Sequence, residues 1–364
     1  MAMTTLANPA SVADRLLTFF SKRLLEVQMD KLVLDQFAIQ EDLPANASAR
    51  TMRFFKPEKA SSSLYSSPTA TNIVTALTEG VAISTFREND WTKVDVTLKQ
   101  YGAATKISDI VSMIDAYKPL KQNIELMGRD AALHTDTLIR NALVGSTHPD
   151  GATTPLTHTS NTSGAEIFQA ANGTLVPPGT SSTLFTTMKA GTQADLIITR
   201  LKVLAALTRL RVNKAPTLKG DRYVCLIPPQ AMHDLVRDTA YQQAFQGRGN
   251  EGVFKGFLGE IDGISFVLNT NPFIEDETYG TFSQTDTSTV GLIYSVLFLG
   301  AGAYGVPKLA GTTSPLRPKF FINDKPDKSD PLNQFVIAGW KAYYMAIGLD
   351  AANIVNLRVK STFA

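Results

Sequence analysis

The longest regular pattern in the chain is an amphipathic stripe between Pro119 and Val144. Its members recur at steps of three or four, the spacing of one helical face: Leu120, Ile124, Met127, Ala131, His134, Leu138 and Ala142. Lys118 is biased away from the helix by the following proline, Pro119 suits the first helical position, and Gly145 suits a C-terminal cap. A helix of about 26 residues is about 39 Å long. Because predicted strands flank it, the pattern predicts a spine helix that crosses an α+β domain.

Two strands joined by a long polar segment are predicted between Arg50 and Tyr101. The first covers 51–55, and the second covers 94–98 and alternates with period two. Long segments without regular structure are uncommon in compact domains unless they have a function. We therefore predict a projecting hairpin or arm.

The first 40 residues have the pattern of an amphipathic helix, which Leu43 and Pro44 end. Its apolar stripe consists of Val12, Leu16, Phe20, Leu24 and Val27. No helix of similar pattern follows directly, so we expect this stripe to dock far away in sequence or on another chain.

The rest of the chain mixes helices and strands. Residues 146–195 are rich in Thr, Ser, Gly and Pro, which predicts a loop or insertion. A helix is predicted over 196–213, with an apolar face of Ile197, Leu201 and Leu204. The other predicted elements are strands at 223–227, 263–268 and 292–299, a helix that begins near Pro229, and strands within 335–359. The fold class is therefore α+β.

The composition excludes several classes of protein. A length of 364 residues suggests two domains, or one with an appendage. Charged residues make up 19%, against a usual figure of about 25%, and a surface short of charge is often covered by other subunits. With 35 basic and 33 acidic residues the net charge is +2, which excludes a strongly basic nucleic-acid coat. One cysteine, Cys225, excludes an internal disulfide framework and fits a reducing compartment.

No targeting or membrane-spanning segment is predicted. The N-terminus lacks the basic-then-apolar order of a signal peptide. The most apolar stretch, 292–306, is short for a spanning helix and is interrupted by glycines. We therefore expect a soluble protein.

The segment Gly300–Gly305 matches the dinucleotide-binding pattern G-x-G-x-x-G and follows a predicted strand. That pattern requires a helix to begin here, so that the helix N-terminus can hold the pyrophosphate. Val306 and Pro307 follow instead. We interpret the glycines as a strand end and predict no nucleotide cofactor.

Other reactive side chains predict no catalytic, cofactor or metal site. The four histidines are scattered, and His134 lies on the stripe of the long helix, where packing is the simpler explanation. Cys225 has apolar neighbours, which favours a buried structural thiol. The basic residues of the helix over 196–213 lie on two flanks, as solvated sides or subunit contacts do: Arg200, Lys202, Arg209 and Arg211. We therefore expect that the protein is not an enzyme.

Two groups of short motifs carry a family resemblance. The first group is Thr78-Glu79-Gly80 before a short strand, Val94 to Tyr101-Gly102, and Ile107-Ser108-Asp109. The second is Asp330-Pro331-Leu332-Asn333-Gln334 with Gly339-Trp340-Lys341. Together they resemble the major capsid proteins of tailed phages of the coliphage N-four type. The resemblance covers mainly 78–145 and 330–360, with weaker support over 220–270.

The resemblance implies the fold named for phage Hong Kong 97, which herpesvirus capsids and encapsulins share. The expected parts are an N-terminal arm over 1–49, an extended loop over 50–101, a peripheral domain over 102–195 with the spine helix 119–144 and a loop insertion, an axial domain over 196–325, and a C-terminal return to the peripheral domain over 326–364.

The implied function is a shell subunit that self-assembles, as pentamers and hexamers, into an icosahedral head around double-stranded DNA. The implied partners are other copies, a portal, scaffold or decoration proteins, and DNA contacted without sequence specificity, with no membrane. The location is the virion, with assembly in the bacterial host cytoplasm. The candidate contacts between subunits are Leu16, Phe20, Leu24, Phe54, Phe55, Phe86 and Trp91.

Two alternatives remain open. One is an encapsulin-like cellular compartment of the same fold, which a cargo enzyme encoded beside it would favour. The other is a soluble α/β enzyme with an unrecognised site, which a stable monomer with a deep apolar pocket would favour.

Overall fold

The structure is a computed structural model that describes part of the chain. The described residues are 34–43, 51–57, 79–80, 91–114, 119–144, 166–169, 175–176, 196–218, 220–246, 260–275, 292–309, 319–323, 331–332 and 334–363. The predicted stripe 12–27, with Leu16, Phe20 and Leu24, lies outside these residues, and so does Phe86.

The described elements alternate between strands and helices along the chain. The strands are β1 Ile39–Leu43, β2 Thr51–Pro57, β3 Trp91–Thr97, β4 Lys99–Ser108, β5 Glu166–Gln169, β6 Leu175–Val176, β7 Tyr223–Ile227, β8 Glu260–Ile261, β9 Ile264–Leu268, β10 Ile274–Glu275, β11 Ile293–Leu299, β12 Tyr304–Leu309, β13 Lys319–Asn323, β14 Phe335–Tyr344, β15 Ile347–Gly348 and β16 Ile354–Val359. The α-helices are α1 Asp109–Ile114, α2 Pro119–Val144, α3 Arg200–Val212, α4 Pro229–Arg237 and α5 Thr239–Gln246, and short 3-10 helices lie at Leu34–Phe37 and Ala351–Asn353.

The largest sheet of the described residues has the order β6–β5–β16–β11–β7–β9–β8, with β10 paired to β11. Helices α3, α4 and α5 pack on one face, and the C-terminal half of α2 packs on the other. The central strands β7 and β11 are therefore buried on both faces. This burial explains why both strands are apolar along almost their whole length, with Ser295 of β11 as a buried polar residue.

One part of the chain lies in this sheet although the sequence analysis predicts a loop there. Residues 166–169 and 175–176 form β5 and β6, so the predicted loop over 146–195 contributes strands. The pairing of β5 with the distant strand β16 stabilises this segment, which leaves little local signal in the sequence. The C-terminal β16 also pairs with β11, and its Ile354 packs with the C-terminal half of α2.

A smaller sheet with the order β13–β14–β4 carries α2 on one face. Met127 and Ala131 of the helix pack on Ala338 and Trp340 of β14. The ring of His134 lies between those of Tyr101 and Trp340, with centroid distances of 5.1 and 6.1 Å. The predicted helix over 119–144 and the packed role of His134 are both confirmed.

A buried polar cluster joins α2 to the large sheet. Arg140 is 1% exposed and donates from Nη1 to Asn271 Oδ1 at 2.5 Å. The guanidinium groups of Arg140 and Arg358 lie 6.0 and 5.8 Å from the centre of the Phe273 ring, within the range of cation–π attraction. Burial lowers the pKa of Arg140 to about 10, and the Asp136 charge opposes that shift.

The third sheet has the order β1–β12–β15 and corrects the N-terminal prediction. Residues 39–43 continue no helix; they form a strand parallel to β12, with Ile39 opposite Gly305. Pairing with β12 along the whole of β1 satisfies the backbone hydrogen-bonding groups of these residues. This pairing outweighs the helical pattern of the sequence. The Tyr304 hydroxyl donates to the Leu34 carbonyl oxygen and so fixes the start of the described N-terminal segment.

Helix α3 also differs from its prediction in orientation. The buried face contains Val203, Ala206 and Leu210, whereas Leu201 is 76% exposed. The prediction that Leu201 lies on the buried face is therefore wrong. Three apolar residues are too few to identify which face of a helix is buried.

Two of the four basic residues of α3 are bound more tightly than solvated side chains would be, whereas Arg211 is exposed. Arg200 makes a bidentate pair with Asp262, at 3.1 Å from both Nε and Nη2. Lys202 is buried, and its Nζ donates to the Ile197 carbonyl oxygen at 2.6 Å. The pair of Arg200 and Asp262 ties the start of α3 to the turn between β8 and β9, whereas the bond of Lys202 is local.

Candidate functional site

Strands β2 and β3 form a two-stranded antiparallel hairpin, as predicted. Its inner face carries Met52, Phe54 and Val96, which pack with Leu98 and Met345 in a small apolar cluster. Phe54 is 4% exposed. The hairpin is therefore attached to the rest of the chain by the side chains of one face.

The outer face of the hairpin near its base is polar and internally paired. Thr51 Oγ1 and Thr97 Oγ1 are 3.0 Å apart. Arg53 donates to Asp95 twice, from Nε to Oδ1 at 2.5 Å and from Nη2 to Oδ2 at 2.8 Å. The hydrogen bonds from Arg53 lower the pKa of Asp95, and the same hydrogen bonds raise the pKa of Arg53. The pair holds the two strands in register on the exposed side.

Farther from the base the same outer face becomes aromatic. Phe55 is 60% exposed and Trp91 is 56% exposed. In the register Phe55 lies opposite Lys93, and Pro57 lies opposite Trp91, so the two rings are diagonal neighbours on one face. Diagonal neighbours are about 7–8 Å apart and within reach of aromatic side chains. We call Phe55 and Trp91 the aromatic pair.

The structure separates the candidate contact residues that the sequence analysis names. Phe55 and Trp91 are exposed, whereas Phe54 is buried within its own chain and is unavailable to a neighbour. The inclusion of Phe54 is therefore a correction, and strand alternation explains it: consecutive residues of a strand point to opposite faces. The sequence analysis missed the pair of Arg53 and Asp95, which becomes visible only when the register is known.

The residues with reactive side chains form no catalytic constellation in the part of the chain that the structure describes. Burial raises the pKa of the Cys225 thiol well above its usual range. Asp234 accepts hydrogen bonds from the backbone N–H and the hydroxyl of Thr362, while His233 Nδ1 lies 3.5 Å from Asp234 Oδ1. The Thr362 hydroxyl is thus bound to the carboxylate and not to the imidazole. No group of three or more metal-ligating side chains occurs among the described residues.

The glycine motif is a turn that leads into a strand. Gly302 has a φ of +74°, and β12 begins at Tyr304. No helix N-terminus is present at these residues to hold a pyrophosphate, which agrees with the interpretation of a strand end. Within the described ranges no helix has the length and apolar character to cross a membrane.

Comparisons of sequence and of structure give different results. No protein-family model matches the chain, and no curated protein sequence matches it. The capsid asymmetric unit of cyanophage Pam1 matches with a TM-score of 0.62 and 13% identity over 100% of each chain. The capsid of Ralstonia phage GP4 matches with a TM-score of 0.60 and 15% identity, over 100% of this chain and 98% of that chain. The holo-SrpI encapsulin complex of Synechococcus elongatus PCC 7942 matches with a TM-score of 0.50 and 10% identity, over 97% of this chain and 96% of that chain.

These similarities establish the fold. The chain has the α+β fold of phage capsid proteins, and the match extends over its whole length. The narrower resemblance to the N-four type stays a prediction.

Proposed function

We propose that this chain is the major capsid protein of a tailed phage, and that many copies of it close an icosahedral shell around double-stranded DNA. The observation that carries the proposal is the similarity of the entire chain to capsid subunits. If the chain shared only a small, widespread domain with these proteins, the similarity would cover only a part of the chain. The role is structural: the free energy of assembly comes from interfaces between copies, and no catalytic pocket is needed.

The aromatic pair is the described surface that best fits a contact with a neighbouring copy. Phe55 and Trp91 project from a two-stranded hairpin, and their own subunit leaves more than half of each side chain exposed. Burying one large apolar side chain contributes about 1.5–3 kcal/mol. Aromatic side chains also dominate the energetics of protein interfaces. We infer that a neighbouring subunit covers this pair in the shell.

The spine helix offers a second surface for the assembled state. Leu126 and Leu133 are exposed and seven residues apart, so they lie on one face of α2. Arg129 and Asp130 lie between the two leucines on that face. We propose that the predicted stripe of Leu16, Phe20 and Leu24 on an adjacent copy packs on the two leucines. The contact set that we propose is therefore Leu16, Phe20, Leu24, Phe55, Phe86 and Trp91.

The finer organisation is part of the same proposal. The division into arm, extended loop, peripheral domain and axial domain follows the expected ranges, with β16 assigned to the axial sheet. Pentamers and hexamers are the assembly units, and portal, scaffold or decoration proteins complete the particle inside the bacterial host. A net charge of +2 suits a shell that encloses DNA without holding it tightly.

A pair of substitutions on the hairpin tests the proposal. Phe55→Asp with Trp91→Asp should weaken each interface on the order of 100-fold or more, since two aromatic rings lose their burial. The matched control is Phe363→Asp, because Phe363 is 58% exposed but lies at the C-terminus and outside the hairpin. We expect sedimentation velocity to show particles for the wild type and the control, and free subunits for the double variant. Equal particle yields from the wild type and the double variant would show that the aromatic pair is no subunit contact.

An encapsulin-like compartment is the second candidate, and the match to the Synechococcus encapsulin favours it. The two functions differ in what the shell encloses. Particles purified from the native source should contain double-stranded DNA if the chain is a capsid protein. Particles that contain a protein cargo and no DNA would support the compartment.

A further inference from the structure

The root of the hairpin lies against a glycine of the third sheet. A Cβ atom placed on Gly305 would lie 3.0 Å from Cζ and 3.1 Å from Cε1 of Phe54, and 3.1 Å from Cδ1 of Leu349. Real Cβ atoms rarely have neighbours this close. The ring of Phe54 therefore occupies space that any other residue at position 305 would fill.

Gly305 lies on a strand that has little freedom to move. Strand β12 is the middle strand of its sheet, and Gly305 lies opposite Ile39 of β1 and Ile347 of β15. Both neighbours of β12 hold its backbone by hydrogen bonds. If a side chain is added at position 305, the parts that have to move are the ring of Phe54 and the end of the Leu349 side chain.

The hairpin has much more freedom than the strand beneath it. Among the described residues β2 and β3 pair only with each other, so no ladder of hydrogen bonds ties the hairpin to another sheet. Its direction is set by the packing of the inner face and by the one-residue connection from β3 to β4 at Leu98. Phe54 lies two residues beyond Met52, farther from the base of the hairpin, so its position has the larger effect on the angle of projection.

We propose that Gly305 is the positioning residue that sets the direction in which the hairpin β2–β3 leaves the subunit, by leaving space for the Phe54 ring on the backbone of β12. The last glycine of the motif thus leaves space for the Phe54 ring, a role unrelated to the dinucleotide-binding pattern that the motif resembles. The consequence for assembly rests on the proposed function, since only a shell subunit needs its hairpin aimed at a neighbour. The direction itself does not depend on that function.

A distance measurement on the full-length subunit tests the direction. Nitroxide labels on Lys93→Cys of the hairpin and Thr208→Cys of α3 occupy exposed positions. The native Cys225 is buried and its pKa is raised, so it should resist labelling. Double electron–electron resonance should give one narrow distance distribution for the wild-type background. Gly305→Ala should shift or broaden it, and the larger Gly305→Val should do so more strongly.

Two further variants separate this role from a general loss of stability. Phe54→Leu removes the ring atoms that clash, so the double variant with Gly305→Ala should return towards the wild-type distribution. Gly339→Ala is the matched control, because a Cβ atom there meets Ala103 and Ala104 at 3.3 Å and does not contact the hairpin. We expect the control to leave the distribution unchanged. If Gly305→Val does not fold, the comparison of Gly305→Ala with the double variant Gly305→Ala, Phe54→Leu still tests the positioning role.

The results distinguish this inference from the function on which it partly rests. An unchanged distance distribution in Gly305→Ala and Gly305→Val overturns the positioning role, whatever the wild type assembles into. A shifted distribution with loss of particles, both restored by Phe54→Leu, supports the whole inference. A shifted distribution with normal particles supports the positioning role and overturns its consequence for assembly. A wild type that forms no particles contradicts the proposed function alone.

Discussion

A single buried charge, that of Arg140, helps to hold the spine helix against the large sheet. Arg140 is almost fully buried, and its guanidinium donates to Asn271 and lies near Phe273. Removing one partner of a buried polar cluster leaves the others unsatisfied, and this costs more than the hydrogen bond itself contributes. A single substitution at Arg140 should therefore weaken the packing of the spine helix on the large sheet.

Arg140→Ala should lower the free energy of unfolding by about 2–4 kcal/mol, since it leaves a cavity and unpaired buried acceptors. The exposed Arg237, at the end of α4, is the matched control, and Arg237→Ala should change stability by less than about 0.5 kcal/mol. Urea unfolding followed by circular dichroism measures both. Equal effects of the two substitutions would mean that the buried cluster does not hold the helix.

The Arg53–Asp95 pair makes a prediction about pH. Its hydrogen bonds lower the pKa of Asp95 in the folded hairpin, so the pair stabilises register at pH values above the ordinary carboxyl pKa. This contribution is lost as the pH falls through the lowered pKa. A carbon-detected NMR titration should place the pKa of Asp95 below the usual value of about 3.9, and Arg53→Met should return it towards that value. A pKa unaffected by Arg53→Met would contradict the pairing.

Elements with a strong local pattern could be predicted from the sequence, and elements defined by distant partners could not. Helix α2 has 26 residues of regular spacing, and its predicted bounds are confirmed. Strand β1 depends on its pairing with β12, and β5 on its pairing with β16, so neither was predicted. At the candidate site the sequence analysis names both Phe54 and Phe55 as contacts, although consecutive residues of a strand point to opposite faces, and only the tertiary structure shows which one is buried.

The hairpin should be dispensable for folding and required for assembly. Removing the residues from Pro57 to Trp91 and joining the strands by a short turn leaves the buried inner face of the root in place. We expect the deleted subunit to keep the helical circular dichroism signal and the unfolding temperature of the wild type, because the spine helix and the large sheet lie elsewhere. It should form no shells in electron micrographs. Normal particles from the deletion would contradict the role of the hairpin.

The N-terminal stripe should matter only in the assembled state. An isolated amphipathic helix is marginal in water, and burying several large apolar side chains contributes about 1.5–3 kcal/mol each. Phe20→Asp with Leu24→Asp should therefore spare thermal unfolding of the subunit and prevent particle formation. Hydrogen exchange provides the second readout. Equal protection of residues 12–27 in the subunit and in the shell would mean that the stripe belongs to the core of one subunit.

At the scale of the whole molecule, the exposed apolar side chains lie on separate elements of a chain with few charges. The aromatic pair lies on the hairpin, Leu126 and Leu133 lie on α2, and Leu201 lies on α3. Charged residues make up only 19% of the chain. Single exposed leucines are common on monomers, so the aromatic pair, which places two large side chains on one face, is the surface that most favours a contact with another copy.

Cryo-electron microscopy of the purified wild-type protein, over a range of salt and protein concentrations, tests the central claim most directly. The account predicts closed icosahedral particles whose wall is built from this fold, with Phe55 and Trp91 covered by a neighbouring subunit. A monodisperse monomer under every condition, by microscopy and by sedimentation, would contradict it.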